Sequence, residues 1–245
     1  MIPAAFFDID GTLLPPPSLE RRFLRYLAWR VELRVSAWSP WLSTFVGRVW
    51  RDPLDATCGN KAHYAGIRTS ALGVFLSLFH RHPLAFLPAA LARIDWHAGQ
   101  GHRIFLVSGT LRPLAEAVAA ILASRLQLYA TSVGVVATRL ESGNGRFTGR
   151  TIGNPVCGPA KAQILTELAR EHGLDLSASY AYGNSHADRW MLGAVGHPAA
   201  VNPSWCLRLP AQRRGWPVLQ WRPSVQRVVA PGEPLRASNA VGKCL

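Results

Sequence analysis

Along this chain, short apolar runs of strand length alternate with longer segments whose apolar residues recur at helical spacing. Residues 4–7, Ala-Ala-Phe-Phe, stop abruptly at Asp8-Ile9-Asp10-Gly11-Thr12, the pattern of a buried strand that delivers acids to its carboxyl end. From Leu19 to about Gly99 the text is helical, with Phe23, Leu24, Leu27 and Val31 on one stripe and further apolar stripes at 41–49, 72–78 and 84–94. The three prolines at 15–17 stop the first strand, and Ser18 is placed to cap the helix after them. A second strand is predicted at 103–107, followed by a helix at 111–126, and a third strand at 126–130. The turn-rich 141–146 between extended arms predicts a β-hairpin within 133–149, and Pro159 begins another helix. Strands are predicted again at 179–183 and 199–203, and the Pro- and Gly-rich residues from 224 onward read as a loose tail.

Composition narrows the classes. Half the 245 residues are apolar, enough for a sizeable core, and the 27 Lys plus Arg against 14 Asp plus Glu are nearly all arginine. That sign suits nucleic acid, an anionic membrane surface or phosphorylated substrates. The excess is spread, net +6 in 16–99 and +7 elsewhere, so no dense basic tract marks a nucleic-acid footprint. Trp29, Trp38, Trp41 and Trp50 stand among arginines in the helical region; ordinary core packing explains that stripe, and peripheral contact with anionic lipid is the sharper reading. Cys58, Cys157, Cys206 and Cys244 form no CxxC pair, so reduced thiols in a cytoplasmic protein are expected. No signal peptide and no membrane span are expected, because Asp8 and Asp10 break the first apolar run and residues 80–83 break the longest one.

Chemistry concentrates at the strand ends. Asp8 and Asp10, two residues apart on a strand, share a face, where like charges repel unless a cation or a shared proton intervenes. Hard oxygen donors with no His or Cys beside them favour magnesium over zinc, although Asp-Gly is also an ordinary turn signal. Ser108-Gly109-Thr110 ends the second strand, either capping the next helix or cradling an anion with backbone N–H groups. Lys161 falls in the first turn of a helix, where the dipole disfavours a cation, which suggests a compensating anion. Gly183-Asn184-Ser185 follows a strand, with Asp188 four residues beyond Asn184.

Asp8-Ile9-Asp10-Gly11-Thr12-Leu13 resembles the first motif of the haloacid dehalogenase-like (HAD) hydrolases, and Ser108, Lys161 and the Asn184–Asp188 loop are similar, in order, to the other three. With a helical insertion after the first motif, the resemblance points to the capped subgroup, subfamily IB, that includes phosphoserine phosphatases. It implies an α/β fold: a doubly wound, mostly parallel Rossmann-like sheet with an inserted all-helical cap, residues 1–15 and 100–223 forming the core, 16–99 the cap and 224–245 the tail. It implies magnesium-dependent hydrolysis of a small phosphorylated metabolite or phospholipid-derived headgroup through an aspartyl-phosphate. In that scheme Asp8 is the nucleophile, Asp10 the acid and base, and Lys161, Ser108, Gly109 and Thr12 hold the phosphoryl group. Asp8, the Asp10 carbonyl and Asn184 hold Mg2+, and Asp188 lies beside the ion or its waters.

Two departures qualify the resemblance. The family has an aspartate where this chain has Asn184, an uncharged ligand that weakens metal binding. Prolines 15–17 stand where phosphoserine phosphatases carry an acid, and Glu20 comes later. A binding or regulatory module that has lost turnover, and a phosphotransferase acting on an acceptor other than water, are the alternatives.

Overall fold

The computed structural model describes residues 1–30, 59–127 and 133–223. Strand β1 (Ala4–Phe7) is apolar throughout because it is central and covered on both faces: Ala5 and Phe7 point into one core, Ala4 and Phe6 into the other. Burying each of the two phenylalanines contributes about 2–3 kcal/mol. The helical region supplies α1 (Leu19–Trp29), α2 (Thr69–Arg81) and α3 (Pro88–Gly99). There follow β2 (Arg103–Leu111), α4 (Arg112–Arg125), β3 (Val133–Thr138), β4 (Leu140–Gly143) and β5 (Arg146–Thr151). The chain then forms α5 (Pro159–His172), β6 (Tyr180–Gly183), α6 (Arg189–Leu192), β7 (His197–Val201), α7 (Trp205–Arg213) and β8 (Val218–Leu219).

Six strands make one parallel sheet in the order β3-β2-β1-β6-β7-β8. With the β4–β5 hairpin set aside, this is the doubly wound 3-2-1-4-5-6 order, whose ligand crevice lies where the winding reverses, between β1 and β6. Helices α3 and α4 pack on one face through Ile94, Leu114, Val118 and Leu122. Helices α5, α6 and α7 pack on the other through Leu165, Met191, Leu192 and Leu207.

Outside the sheet, α1, α2 and the turn at Ala62–Tyr64 share an aromatic cluster. Phe23 lies 5.2 Å from Phe75 and 5.9 Å from Tyr64, centroid to centroid. The hairpin clasps this layer: Gly66 N–H donates to the Phe147 carbonyl (2.8 Å), Phe147 N–H to Ile67 (2.9 Å) and Thr69 N–H to Gly145 (2.9 Å). Helix α3, within the 16–99 segment, packs on β2, and its Leu87 N-cap donates to the Leu13 carbonyl at 2.9 Å.

Three sequence expectations shift. The third strand is Val133–Thr138, paired with β2; Leu126 and Gln127 end α4 instead, and 128–130 lie outside the described residues. Gly134 is required in β3, since a Cβ there would meet the Phe105 ring at 2.4 Å. The hairpin is confined to β4 and β5, which turn at Asn144 (φ +50°) and Gly145 (φ +70°) as a primed turn demands. Cys157 is disulfide-bonded and Cys206 is a free thiol, against the expectation of reduced cysteines throughout. Spacing along the chain cannot show which distant cysteines folding brings together. Residues 31–58 and 224–245, with Trp38, Trp41, Trp50 and the tail, lie outside the described residues. No helix among the described residues is long and apolar enough to cross a membrane.

Candidate active site

At the carboxyl ends of β1, β2 and β6 a cleft of about 270 Å3 opens, lined by Asp8, Asp10, Ser108, Gly109, Lys161 and Asn184 from the four motifs. Asp8 directly follows β1, and its N–H donates to the Tyr182 carbonyl of β6 at 2.9 Å. Its carboxylate is 6% exposed and accepts from Lys161 Nζ at 2.9 Å. Burial pushes the Asp8 carboxyl up to about 6, with the charge of Asp188 adding to the rise and Lys161 opposing it.

Asp10 turns toward the helical layer. The first N–H of α1, from Leu19, donates to Asp10 Oδ1 at 2.8 Å, so the helix start fixes this carboxyl over the cleft. Burial pushes Asp10 up to about 7; the Leu19 bond works against the rise and the charges of Asp8 and Glu20 add to it.

Lys161 is 2% exposed in the first turn of α5, and the anion that its position required is a pair. Asp188 Oδ1 lies 2.5 Å and Asp8 Oδ1 2.9 Å from Nζ. Burial works to lower the lysine's pKa, but the charges and hydrogen bonds of the two carboxylates hold it above the ordinary value. Asp188 Oδ2 accepts from Asn184 N–H (3.1 Å), Ser185 N–H (2.8 Å) and Ser185 Oγ (2.7 Å). Asp188 is fully buried and takes no part in the cleft wall, so its placement is that of a residue holding Lys161 and the Asn184 loop, not one facing the cleft interior.

Two further expectations change. Strand β2 continues through Ser108 to Leu111, and its ladder with β3 skips Gly109 and Thr110, which line the cleft beside Ser108. The Ser108–Thr110 segment is therefore a strand-end bulge, not a helix start. Thr12, expected to meet a phosphoryl group, is fully buried away from the cleft with its hydroxyl unpaired.

Ser18, Glu20, Gly59, Lys61, Thr110, Ser185 and Ala187 complete the wall. Lys61, 6% exposed, forms an ion pair with Glu20 there. Motif reading passed over Lys61, yet the chain carries only three lysines among its 27 basic residues, and two of them are in this cleft. An ammonium is the compact charge that fits where a guanidinium fork does not.

The donor set suits a hard cation. Asp8 and Asn184 line the same cleft, and the Asn184 amide rests against Gly11, immediately after Asp10. Among the described residues no group of three His, Cys, Asp or Glu side chains could hold a metal, so a cation here would have to take one carboxylate, a carboxamide and backbone oxygen.

A family model of haloacid dehalogenase-like hydrolases matches residues 5–193. The chain is 37% identical over 126 residues to phosphoserine phosphatase SerB1 of Mycobacterium tuberculosis, covering 51% of this chain and 38% of that protein. It is 27% identical over 228 residues to a histidinol-phosphatase of Neisseria meningitidis, covering 89% and 98%. It spans about half the length or less of the curated relatives matched at the higher identities. Among solved structures, a protein of unknown function from Bordetella pertussis superposes with TM-score 0.66 at 28% identity, over 89% of this chain and 98% of that one. Four motifs meeting in one cleft at the sheet's switch point, three at strand ends and one at a helix start, and a model that spans most of the chain, agree: the chain belongs to the haloacid dehalogenase-like hydrolase family.

Proposed function

We propose that this chain is a phosphomonoester hydrolase that works through an aspartyl-phosphate on a small phosphorylated substrate. The observation that carries the reading is the Lys161 ammonium held between Asp8 and Asp188 at the head of a polar cleft. The lysine neutralises Asp8 enough for its free oxygen to approach an anionic phosphoryl group, and with Ser108 it offsets charge on the equatorial oxygens. Asp8 attacks phosphorus as the ester bond breaks, and Asp10, raised toward neutrality by burial, gives its proton to the leaving oxygen. Asp10 then takes a proton from the water that cleaves the aspartyl-phosphate, which restores both carboxyls.

Magnesium belongs to this proposal. The Asp8 carboxylate, the Asp10 carbonyl and the Asn184 carboxamide would hold it, and its charge would lower the cost of bringing a phosphate dianion to Asp8. The relatives named phosphoserine phosphatase and histidinol-phosphatase act on phosphomonoesters of amino-bearing molecules, and the Glu20–Lys61 pair offers this cleft a carboxylate and an ammonium for such a leaving group.

The test is phosphate release from para-nitrophenyl phosphate with and without magnesium, in the wild type and Asp8→Asn. Magnesium-dependent release that Asp8→Asn abolishes supports the reading. No release across a broad phosphomonoester panel would favour a binding module, the reading that Asn184 motivates; product in excess of free phosphate would mark a transferase.

A further inference from the structure

A second cavity, of about 590 Å3, lies beside β6, β7 and β8. Its wall carries Arg93 of α3, Tyr180 and Tyr182 of β6, His197 of β7, and Arg214 and Trp216 on the approach to β8. None of its lining residues belongs to the catalytic cleft. Tyr180 and His197 open their strands, and Tyr182 and Ala199 continue the wall along the same face, so this cavity lies over the α3 face of β6 and β7, while Asp8 and Asn184 sit past the carboxyl ends of β1 and β6.

Two features define what it would take. The first is a run of parallel rings: Tyr180 stacks on His197 at 4.6 Å with planes 23° apart, and on His102 at 5.5 Å with planes 22° apart. The second is a pair of guanidiniums seated on rings. Arg93 lies 5.5 Å from the Trp96 centroid and 6.0 Å from Tyr182, and Arg214 lies 5.0 Å from Trp216. A ring-seated guanidinium offers its face to the aromatic and keeps its N–H fork in plane for an anion. Among the described residues neither arginine has a salt-bridge partner, and no carboxylate lines the cavity. Aromatic walls with two cations in a concave site of ligand size are the features of a small-molecule pocket.

We propose that this cavity binds a planar aromatic anion, its ring against the aromatic wall and its carboxylate or phosphate taken by Arg93 and Arg214. The proposal does not rest on the hydrolase reading. Isothermal titration of the full chain with four probes tests it: indole-3-acetate, adenosine 5′-monophosphate, adenosine and inorganic phosphate. Each probe is titrated into the wild type, Arg214→Gln and the double variant Arg93→Gln/Arg214→Gln. The expected result is that at least one aromatic anion binds, at least about tenfold tighter than adenosine, and that the double variant weakens it about tenfold or more. Whichever of the two anions binds identifies the carboxylate or the phosphate source. Phosphate binding, which belongs to the catalytic cleft, stays unchanged in both variants. Arg214 is exposed, so the single variant keeps the fold and shows a smaller loss if the double variant does not fold. Failure of both aromatic anions to bind at millimolar concentration would overturn the proposal. So would adenosine binding as tightly as the anions, indole-3-acetate binding that survives both substitutions, adenosine 5′-monophosphate binding that survives them in excess inorganic phosphate, or phosphate binding lost with them.

Discussion

The Asn184 carboxamide occupies the space that a side chain on Gly11 would need: a Cβ there would lie 2.0 Å from Nδ2 and 2.8 Å from Cγ. Two loops some 170 residues apart in sequence are thereby held in contact, one following the acid pair and the other following β6. Gly11 also has φ +86°, which a side chain disfavours. Gly11→Ala is therefore expected to displace Asn184, raising the magnesium concentration for half-maximal turnover about 10- to 100-fold and destabilising the fold by about 1 kcal/mol or more. A magnesium titration of para-nitrophenyl phosphate turnover and a thermal melt measure the two effects.

Asp188 reaches Lys161 with one oxygen and the Asn184–Ser185 backbone with the other. Asp188→Asn removes the charge that centres the ammonium while keeping an acceptor for the loop. Turnover should fall about 100-fold, the scale of a misplacement of about 1 Å, and the melting temperature should fall as well, because the amide NH2 then faces the buried Lys161 ammonium. Asp188→Ala leaves the two loop N–H groups unpaired as well, and should cost about 3–5 kcal/mol in a denaturant titration.

Lys61 and Glu20 neutralise each other in the cleft wall. Lys61→Met leaves the half-buried Glu20 without its partner and is expected to destabilise the fold by about 1 kcal/mol. Across a panel of phosphomonoesters, Lys61→Met and Glu20→Gln should redistribute kcat/KM among leaving groups of different charge. Equal effects on every substrate would place the pair in a purely structural role.

His97 is fully buried beneath the sheet, its Nε2 2.9 Å from the Tyr182 hydroxyl and its Nδ1 2.8 Å from His102 Nδ1. Burial lowers its pKa to about 3, with the neighbouring charges of His102 and Arg93 acting in the same direction. A histidine held neutral in the fold takes up a proton on unfolding whenever the pH is below the unfolded value near 6.5. Its contribution to stability is complete above that pH and is lost as the pH falls toward 3. Asp8 and Asp10, raised by burial, work with the opposite sign in part of this range, so the comparison must be with a variant. Between pH 7 and pH 5 the wild type should lose about 2 kcal/mol more stability than His97→Gln, which retains a hydrogen-bonding group for Tyr182 without titrating. Urea midpoints at the two pH values measure the difference.

Much of the site was legible because its logic is local. The Ala4–Phe7 run ending in two acids, the turn chemistry of Asn144-Gly145 and the proline before Lys161 each act over a few residues, and each element formed where those signals lie. The odd placement of a cation at a helix start even implied the anion that Lys161 meets. Elements with weaker local signals moved: β3 settled at Val133–Thr138 because that stretch, with Gly134 against Phe105, is the one that docks beside β2.

The sequence by itself determined the strand ends, the order of the four motifs and the membership that follows from them, because side-chain alternation, capping and turn preference are short-range effects. Only the tertiary structure decided the partners: which carboxylate Lys161 shares with Asp8, that Lys61 closes the cleft with Glu20, and that Thr12 turns into the core. It also decided that rings and arginines from α3, β6, β7 and the β8 approach line one cavity. Those pairings join residues tens to more than a hundred positions apart, and long-range burial and charge compensation, which no local pattern encodes, select among the many partners the composition allows.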